Sequence, residues 1–226
     1  MSRKAIIAIV LVVVLAAAGI GIFVLSEQGG GDSLAAGDAK NVGFALVPGD
    51  RTMGNPKAPV TLIEYGAPTC NICAYFAANE FPQLKREYID TGKIFYVFRV
   101  FPLRPMDGDV EKMARCLPED KYFGFIDLLW RNQPKWDAAE YPGISDPHGA
   151  LIQQARLAGM SSEQAEQCIA SKAEDERINK VSAEAEQKYN LTGTPMFVVD
   201  GAPQPSGALP YADLAKILNA ALAKKK

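Results

Sequence analysis

Apolar positions change their spacing several times along the chain, and each change marks an element. Residues 5–25 form an unbroken apolar run of 21 residues behind Arg3 and Lys4. As a helix it rises about 30 Å, enough to span a bilayer. The two cations predict a cytoplasmic end at 1–4 and place all that follows across the membrane. A cleaved signal peptide is the alternative, since Ala16, Ala17 and Ala18 offer small residues for cleavage. The run continues through Ile20 to Leu25, which favours an uncleaved anchor. Residues 26–50 are rich in Gly, Ala and Asp with little periodicity, the pattern of a flexible tether.

Regular spacing begins after Pro59. "PVTLIEY" reads as a strand, and residues 74–90 place Ala77, Phe81, Leu84 and Tyr88 on one helix face, bent at Pro82. "KIFYVFRVF" follows, apolar almost throughout, as in a strand covered on both sides. Beyond Arg104 the spacing is helical for about 70 residues, including a segment that opens on Ser161 with Gln164 as a capping box. A further helix carries Ile178, Val181, Ala185 and Tyr189. After "NLTGTP" come a strand "MFVVDG", a return "APQPSGAL" able to pair beside it, and a last helix from Pro210. The class is α/β: a first half at 51–104, a helical insertion at 105–173 and a second half at 174–226.

Composition narrows the function. The chain has 226 residues, 48% of them hydrophobic, so it can bury a core without cross-links. A net charge of -2 and no basic stripe exclude nucleic acid as an expected partner.

Four cysteines carry the candidate chemistry. Cys70 and Cys73 stand three apart where a strand gives way to a helix. A sulfur at a helix N-terminus meets unpaired N–H groups and the positive end of the dipole, which favour the thiolate. Cys70 is therefore the expected exposed nucleophile. Cys73, one turn on, is placed to displace whatever joins Cys70. A zinc site needs further ligands, but Cys116 and Cys168 are isolated and His148 is the only histidine, so no metal is expected. Covalent haem needs His after the second cysteine, where Ala74 stands. An inert CxxC bridge remains the bland alternative.

Glu64 lies six residues before Cys70 in an apolar strand. Buried, its carboxyl would be held protonated and could trade a proton with Cys73; at a strand end it would simply face water. Gly193, Thr194 and Pro195 precede the last strand. A cis Thr194–Pro195 bond there would leave the Thr194 backbone free to pair with an extended substrate. Cys116 and Cys168 lie on apolar faces of the insertion and are expected to form a structural disulfide, with two buried free thiols as the alternative. Trp130 and Trp136 are expected to pack the insertion, and His148 to sit in a surface turn.

Together "VTLIEYGAPTCNIC", "REYIDTGKIFYVFRVFPL", "LTGTPMFVVDG" and "SGALPYADL" resemble the DsbA-like thiol–disulfide oxidoreductases of the thioredoxin superfamily, over about 50–226. The resemblance implies a thioredoxin fold with inserted helices, CxxC at 70–73, a buried acid at Glu64 and a cis-proline loop at Pro195. It implies oxidation of reduced or unfolded exported proteins, no cofactor, and a membrane redox partner such as a quinone-linked thiol oxidase. A reductase or isomerase fed by a membrane reductant is the same-class alternative. A non-catalytic envelope binding module is the alternative of another class. The departure is Asn71-Ile72 between the cysteines, where strong oxidases of the family carry a histidine. Neither residue is charged, so Cys70 is expected to rely on the helix dipole and backbone donors alone. Its potential should then fall between about -270 mV and about -120 mV, the values for thioredoxin and for the family's strongest oxidant.

Overall fold

The structure, a computed structural model, describes residues 46–207 and 209–225. The expected membrane-spanning helix at 5–25, and the tether as far as residue 45, lie outside the described residues. Among the described residues no helix is long and apolar enough to cross a membrane.

Five strands make one mixed sheet: β1 (Arg51–Met53), β2 (Val60–Gly66), β3 (Ile94–Val100), β4 (Met196–Val199) and β5 (Ala202–Pro203), in the order β1-β3-β2-β4-β5. Only β2 and β3 are parallel, and this crossover carries two helices, α1 (Asn71–Asn79) and α2 (Phe81–Leu84). The insertion supplies α3 (Pro105–Cys116), α4 (Tyr122–Arg131), α5 (Gln133–Trp136), α6 (Pro147–Leu157) and α7 (Ser162–Ile169). Then come α8 (Lys172–Tyr189) and, after β5, α9 (Tyr211–Ala223).

Every residue of β2, β3 and β4 is buried, because the sheet is covered on both faces. The period-two alternation divides them. Leu62, Tyr96, Phe98, Phe197 and Val199 face α1, α2, α9 and the insertion; Ile63, Tyr65, Val97 and Val198 pack with Val181 and Ala185 of α8. The alternation that buries Leu62 buries Glu64 on the same face.

Several elements differ from the sequence reading. The helix expected over 74–90 starts at Asn71 and stops at Asn79. A new helix opens at Phe81 with Pro82 in its first turn, where the missing N–H leaves no bond unmade, and runs into a π-helical turn at Lys85–Ile89. Strand β1, three residues long, is too short to show a period. The end of the expected tether is a turn in which the Asp50 N–H donates to the Val47 carbonyl at 3.0 Å. Asp50 also forms a 2.7 Å ion pair with Arg99, buried on the α8 face. A buried cation in an apolar strand requires such a partner, so Asp50 belongs to the folded unit and not to the tether. The 173/174 boundary falls inside α8: Arg177 binds Glu111 of α3 at 2.6 Å, while Val181 and Ala185 serve the sheet.

Within the insertion Cys116 and Cys168 are joined by a disulfide across 52 residues of sequence. Closing a loop of that size contributes about 4 kcal/mol through the unfolded chain. The return to β5 is made by Asp200 and Gly201, both with positive φ, the two-residue turn that matches strand twist.

Gly66 ends β2 under an aromatic ring. A Cβ there would lie 2.7 Å from the Phe98 ring, and Phe98 packs edge-on against Trp130 with centroids 5.6 Å apart. To admit a Cβ the Phe98 ring would have to shift from that packing. Gly66→Ala should therefore destabilise by about 1–3 kcal/mol, read as a lower denaturant midpoint at constant slope.

Candidate active site

The site forms where β2 ends and α1 begins. Cys70 is extended (φ -81°, ψ 112°) and caps α1: its Sγ accepts from the Cys73 N–H at 3.1 Å, and its carbonyl receives the Ala74 N–H at 3.0 Å. No acidic side chain occupies the first turn of α1, so the positive end of the helix faces the sulfur uncompensated. Both cysteines are free thiols.

The two sulfurs stand in unequal surroundings. Cys70 is 6% exposed and Cys73 is wholly buried. The Cys73 thiol, followed by the Thr194 side chain and the N–H groups of Cys73 and Ile72, brings the Cys70 thiol from 9.0 down to about 7, against the opposing effect of burial. Burial, and then the neighbouring Cys70, pushes Cys73 well above the ordinary thiol range. Two expectations are thereby corrected. The largest aid to the Cys70 thiolate is its partner thiol, not backbone donors alone. Cys70 is also more enclosed than an exposed nucleophile, because the Thr194 loop covers it; the exposed apolar side chains beside it are Ile72 and Tyr75.

Thr194 reaches the site from the far end of the chain. The Cys70 Sγ–H donates to the Thr194 carbonyl at 3.5 Å, and the Thr194–Pro195 bond is cis. Thr194 and Pro195 are buried, whereas Gly193 is half-buried with open space where a side chain would be.

Glu64 lies beneath, 1% exposed, with Phe98 and Phe197 as its neighbours in the sheet. The Tyr96 hydroxyl donates to Oε2 at 2.8 Å, while Oε1 has no hydrogen-bond partner among the described residues. Burial raises the carboxyl from 4.5 to about 8, with the Tyr96 bond opposing it and the Cys70 charge adding to it. The negative charge of Glu64 in turn helps to hold the Cys73 proton. The structure thus brings together Cys70, Cys73, Glu64 and Thr194. Cys116 and Cys168 stand apart in the insertion, and His148 pairs at the surface with Glu166. No cluster of three or more metal-ligating side chains occurs among the described residues.

Three side chains of the insertion also reach the site unannounced by the sequence. Trp130 packs against the cluster of Ala67, Cys70 and Cys73, and its indole N–H donates to the Ala67 carbonyl at 3.1 Å. The Gln133 amide donates to the Pro68 carbonyl at 2.8 Å. Asp107 Oδ1 accepts the Thr69 N–H at 2.7 Å and Oδ2 accepts the Thr69 hydroxyl at 3.0 Å. The sole sequence signal was Asp107 two residues after Pro105, which marks a helix start without saying what else the carboxylate holds.

Two measurements follow from the unequal groups. Iodoacetamide should modify Cys70 of the reduced protein with a midpoint near pH 7 and leave native Cys73 untouched. Glu64, near 4.5 when unfolded and about 8 when folded, keeps its proton in the native state across that window while the unfolded chain loses it. The native state then binds more protons, so stability falls as pH rises from about 4.5 to about 8. Glu64→Gln should flatten that fall by a few kcal/mol in the reduced protein.

The comparisons agree with this geometry. A family model described as thioredoxin matches residues 46–220. A Rickettsia typhi protein assigned as a protein-disulfide oxidoreductase is 33% identical over 162 residues, 71% of this chain and 58% of its own. The chain thus spans a little over half the length of that relative. Disulfide bond formation protein D of Bacillus subtilis is 26% identical over 166 residues, 70% of this chain and 71% of its own. Among solved structures, alpha-DsbA1 of Wolbachia pipientis superposes with a TM-score of 0.72 at 28% identity, over 80% of this chain and 95% of its own. With the sheet order, the capping cysteine and the inserted helices all in place, the chain belongs to the thioredoxin family, in its DsbA-like branch.

Proposed function

We propose that the chain is a thiol–disulfide oxidoreductase that introduces disulfides into exported proteins through Cys70 and Cys73. The observation that carries the reading is the inequality of the two sulfurs: Cys70 is lowered to about 7 while Cys73, in contact with nothing but protein, is raised. In the oxidised form a client thiolate attacks Cys70 Sγ. The Cys70–Cys73 bond breaks, its electron pair passes to Cys73, and Cys73 takes up a proton. Glu64, neutral below about 8 and near enough for its charge to act on Cys73, donates that proton. A second client thiolate then attacks the client sulfur of the mixed disulfide. The client gains a disulfide, and Cys70 leaves as a thiolate with both active-site sulfurs reduced. The Thr194 backbone beside Cys70 lines up the client as an added strand.

Export and anchoring belong to the same reading. They are supported by the apolar run at 5–25 behind Arg3 and Lys4, and by the Cys116–Cys168 disulfide, a bond that persists in oxidising compartments. A membrane oxidase linked to quinone restores the active-site disulfide. A second reading, reductase or isomerase, is favoured by one observation: a Cys70 thiol near 7 is the thioredoxin value, far above the family's strongest oxidant at about 3.5.

The test uses a reduced, unfolded client with two cysteines. The oxidised protein should form the client disulfide in stoichiometric amount, and Cys73→Ala, with Cys70 first loaded as its mixed disulfide with glutathione, should release glutathione and hold a single-cysteine client as a mixed disulfide on Cys70. An equilibrium potential with glutathione above about -200 mV supports oxidation; one near -270 mV assigns the chain to reduction. Glu64→Gln should slow release of Cys73 about tenfold or more and remove the inflection near pH 8. An unchanged rate and pH profile would remove Glu64 from the mechanism.

A further inference from the structure

Loop 67–69 joins β2 to the capping cysteine; Pro68 fixes one dihedral and the Cys70 N–H donates to the Ala67 carbonyl at 3.1 Å, but neither ties the loop to the rest of the fold. Each of its three residues is held by a different side chain of the insertion. Ala67 is held by Trp130, Pro68 by Gln133, and Thr69 twice over by Asp107. Asp107 and Gln133 are buried, at 0% and 3% exposure. Asp107 accepts two further bonds, from the Leu103 and Arg104 N–H groups at 2.9 Å each, so its carboxylate ties the start of α3 to the residue before Cys70. Trp130 closes the assembly by packing against the cluster that Ala67, Cys70 and Cys73 form.

We infer that Asp107, Gln133 and Trp130 are positioning residues that lock loop 67–69 and so fix Cys70 Sγ where the Cys73 N–H and the Thr194 carbonyl meet it. The insertion is thereby part of the redox couple's tuning and not only a cover for the sheet. The inference rests on Cys70 and Cys73 forming the redox pair of the proposed function. The clamp acts differently on the two redox forms. In the oxidised form the sulfur–sulfur bond keeps Cys70 beside Cys73 whether or not the loop is held. In the reduced form that bond is gone, and the loop adds to the cap bonds of α1 in keeping the sulfur at the helix start, where the thiolate is stabilised. Loosening the clamp therefore weakens the reduced form alone, and the couple becomes a poorer oxidant.

Two variants test this independently. Asp107→Ala removes four acceptor contacts. Trp130→Phe combined with Gln133→Leu removes two donors while keeping ring and bulk. Glu111→Gln is the control: Glu111, one turn after Asp107 on α3, is buried and bonded to Arg115, Arg177 and Tyr122, none of which bonds the loop. Equilibration of the purified protein with glutathione should shift about tenfold toward the active-site disulfide in Asp107→Ala and in the double variant, about 30 mV more negative. The midpoint of Cys70 alkylation should rise by about one pH unit in the same variants. Glu111→Gln should lower the melting temperature and stay within twofold of the wild-type equilibrium. If the loop variants lose thermal stability but keep the wild-type equilibrium and alkylation midpoint, the positioning role is refuted; if Asp107→Ala does not fold, the double variant decides. A wild-type protein that fails to oxidise the client yet shows these shifts would sink the proposed function and leave the positioning role standing.

Discussion

The site depends on a single contest between two sulfurs for one proton. Cys70 lies where a helix begins, and Cys73 lies one turn inside it, buried. Three residues of separation let the inner thiol and its own N–H both address the outer sulfur. The remaining architecture sharpens this difference. β2 delivers the chain to the start of α1 from the middle of the sheet, where both faces are covered and water is excluded. Exclusion of water raises the cost of a charge at Cys73 and strengthens the donors around Cys70. A more open fold would leave the two thiols nearly alike and the order of their reactions undefined.

Glu64 belongs to the same economy of charge. An acid in the centre of a covered sheet is destabilising when ionised, and its persistence there makes sense if its proton is used. With Tyr96 on one oxygen and no hydrogen-bond partner among the described residues on the other, it is held in place by Tyr96 alone within that set. The Arg99 and Asp50 pair, on the opposite face of β3, shows the contrasting solution: a buried charge satisfied completely, with no chemistry left over.

Much of this was legible in the chain because it is local. The CxxC at a strand-to-helix junction, the apolar run around Glu64 and the capping box at Ser161 each fit within a few residues, and the period of the apolar positions places them. What could not be read is what joins distant segments. Asp107 lies 38 residues from Thr69 and Gln133 lies 65 from Pro68, so no spacing rule links them. Asp50 reads as the end of a Gly-rich stretch until Arg99 is seen across the sheet. The weakness of a dipole argument was similar in kind: it counts the donors fixed by helix geometry and overlooks the thiol that the same geometry carries in.

The pairing of β2 with β4 has a consequence in time. Glu64 stands opposite Phe197, and the carbonyl that meets Cys70 belongs to a residue 124 positions further on. A ribosome makes the reactive cysteines long before it makes their cover. During that interval the nascent polypeptide carries both thiols without the Thr194 carbonyl and the strand that seal them from water. The cover is therefore completed late, when the final hairpin closes, and a product truncated before Thr194 would leave both thiols more open to water.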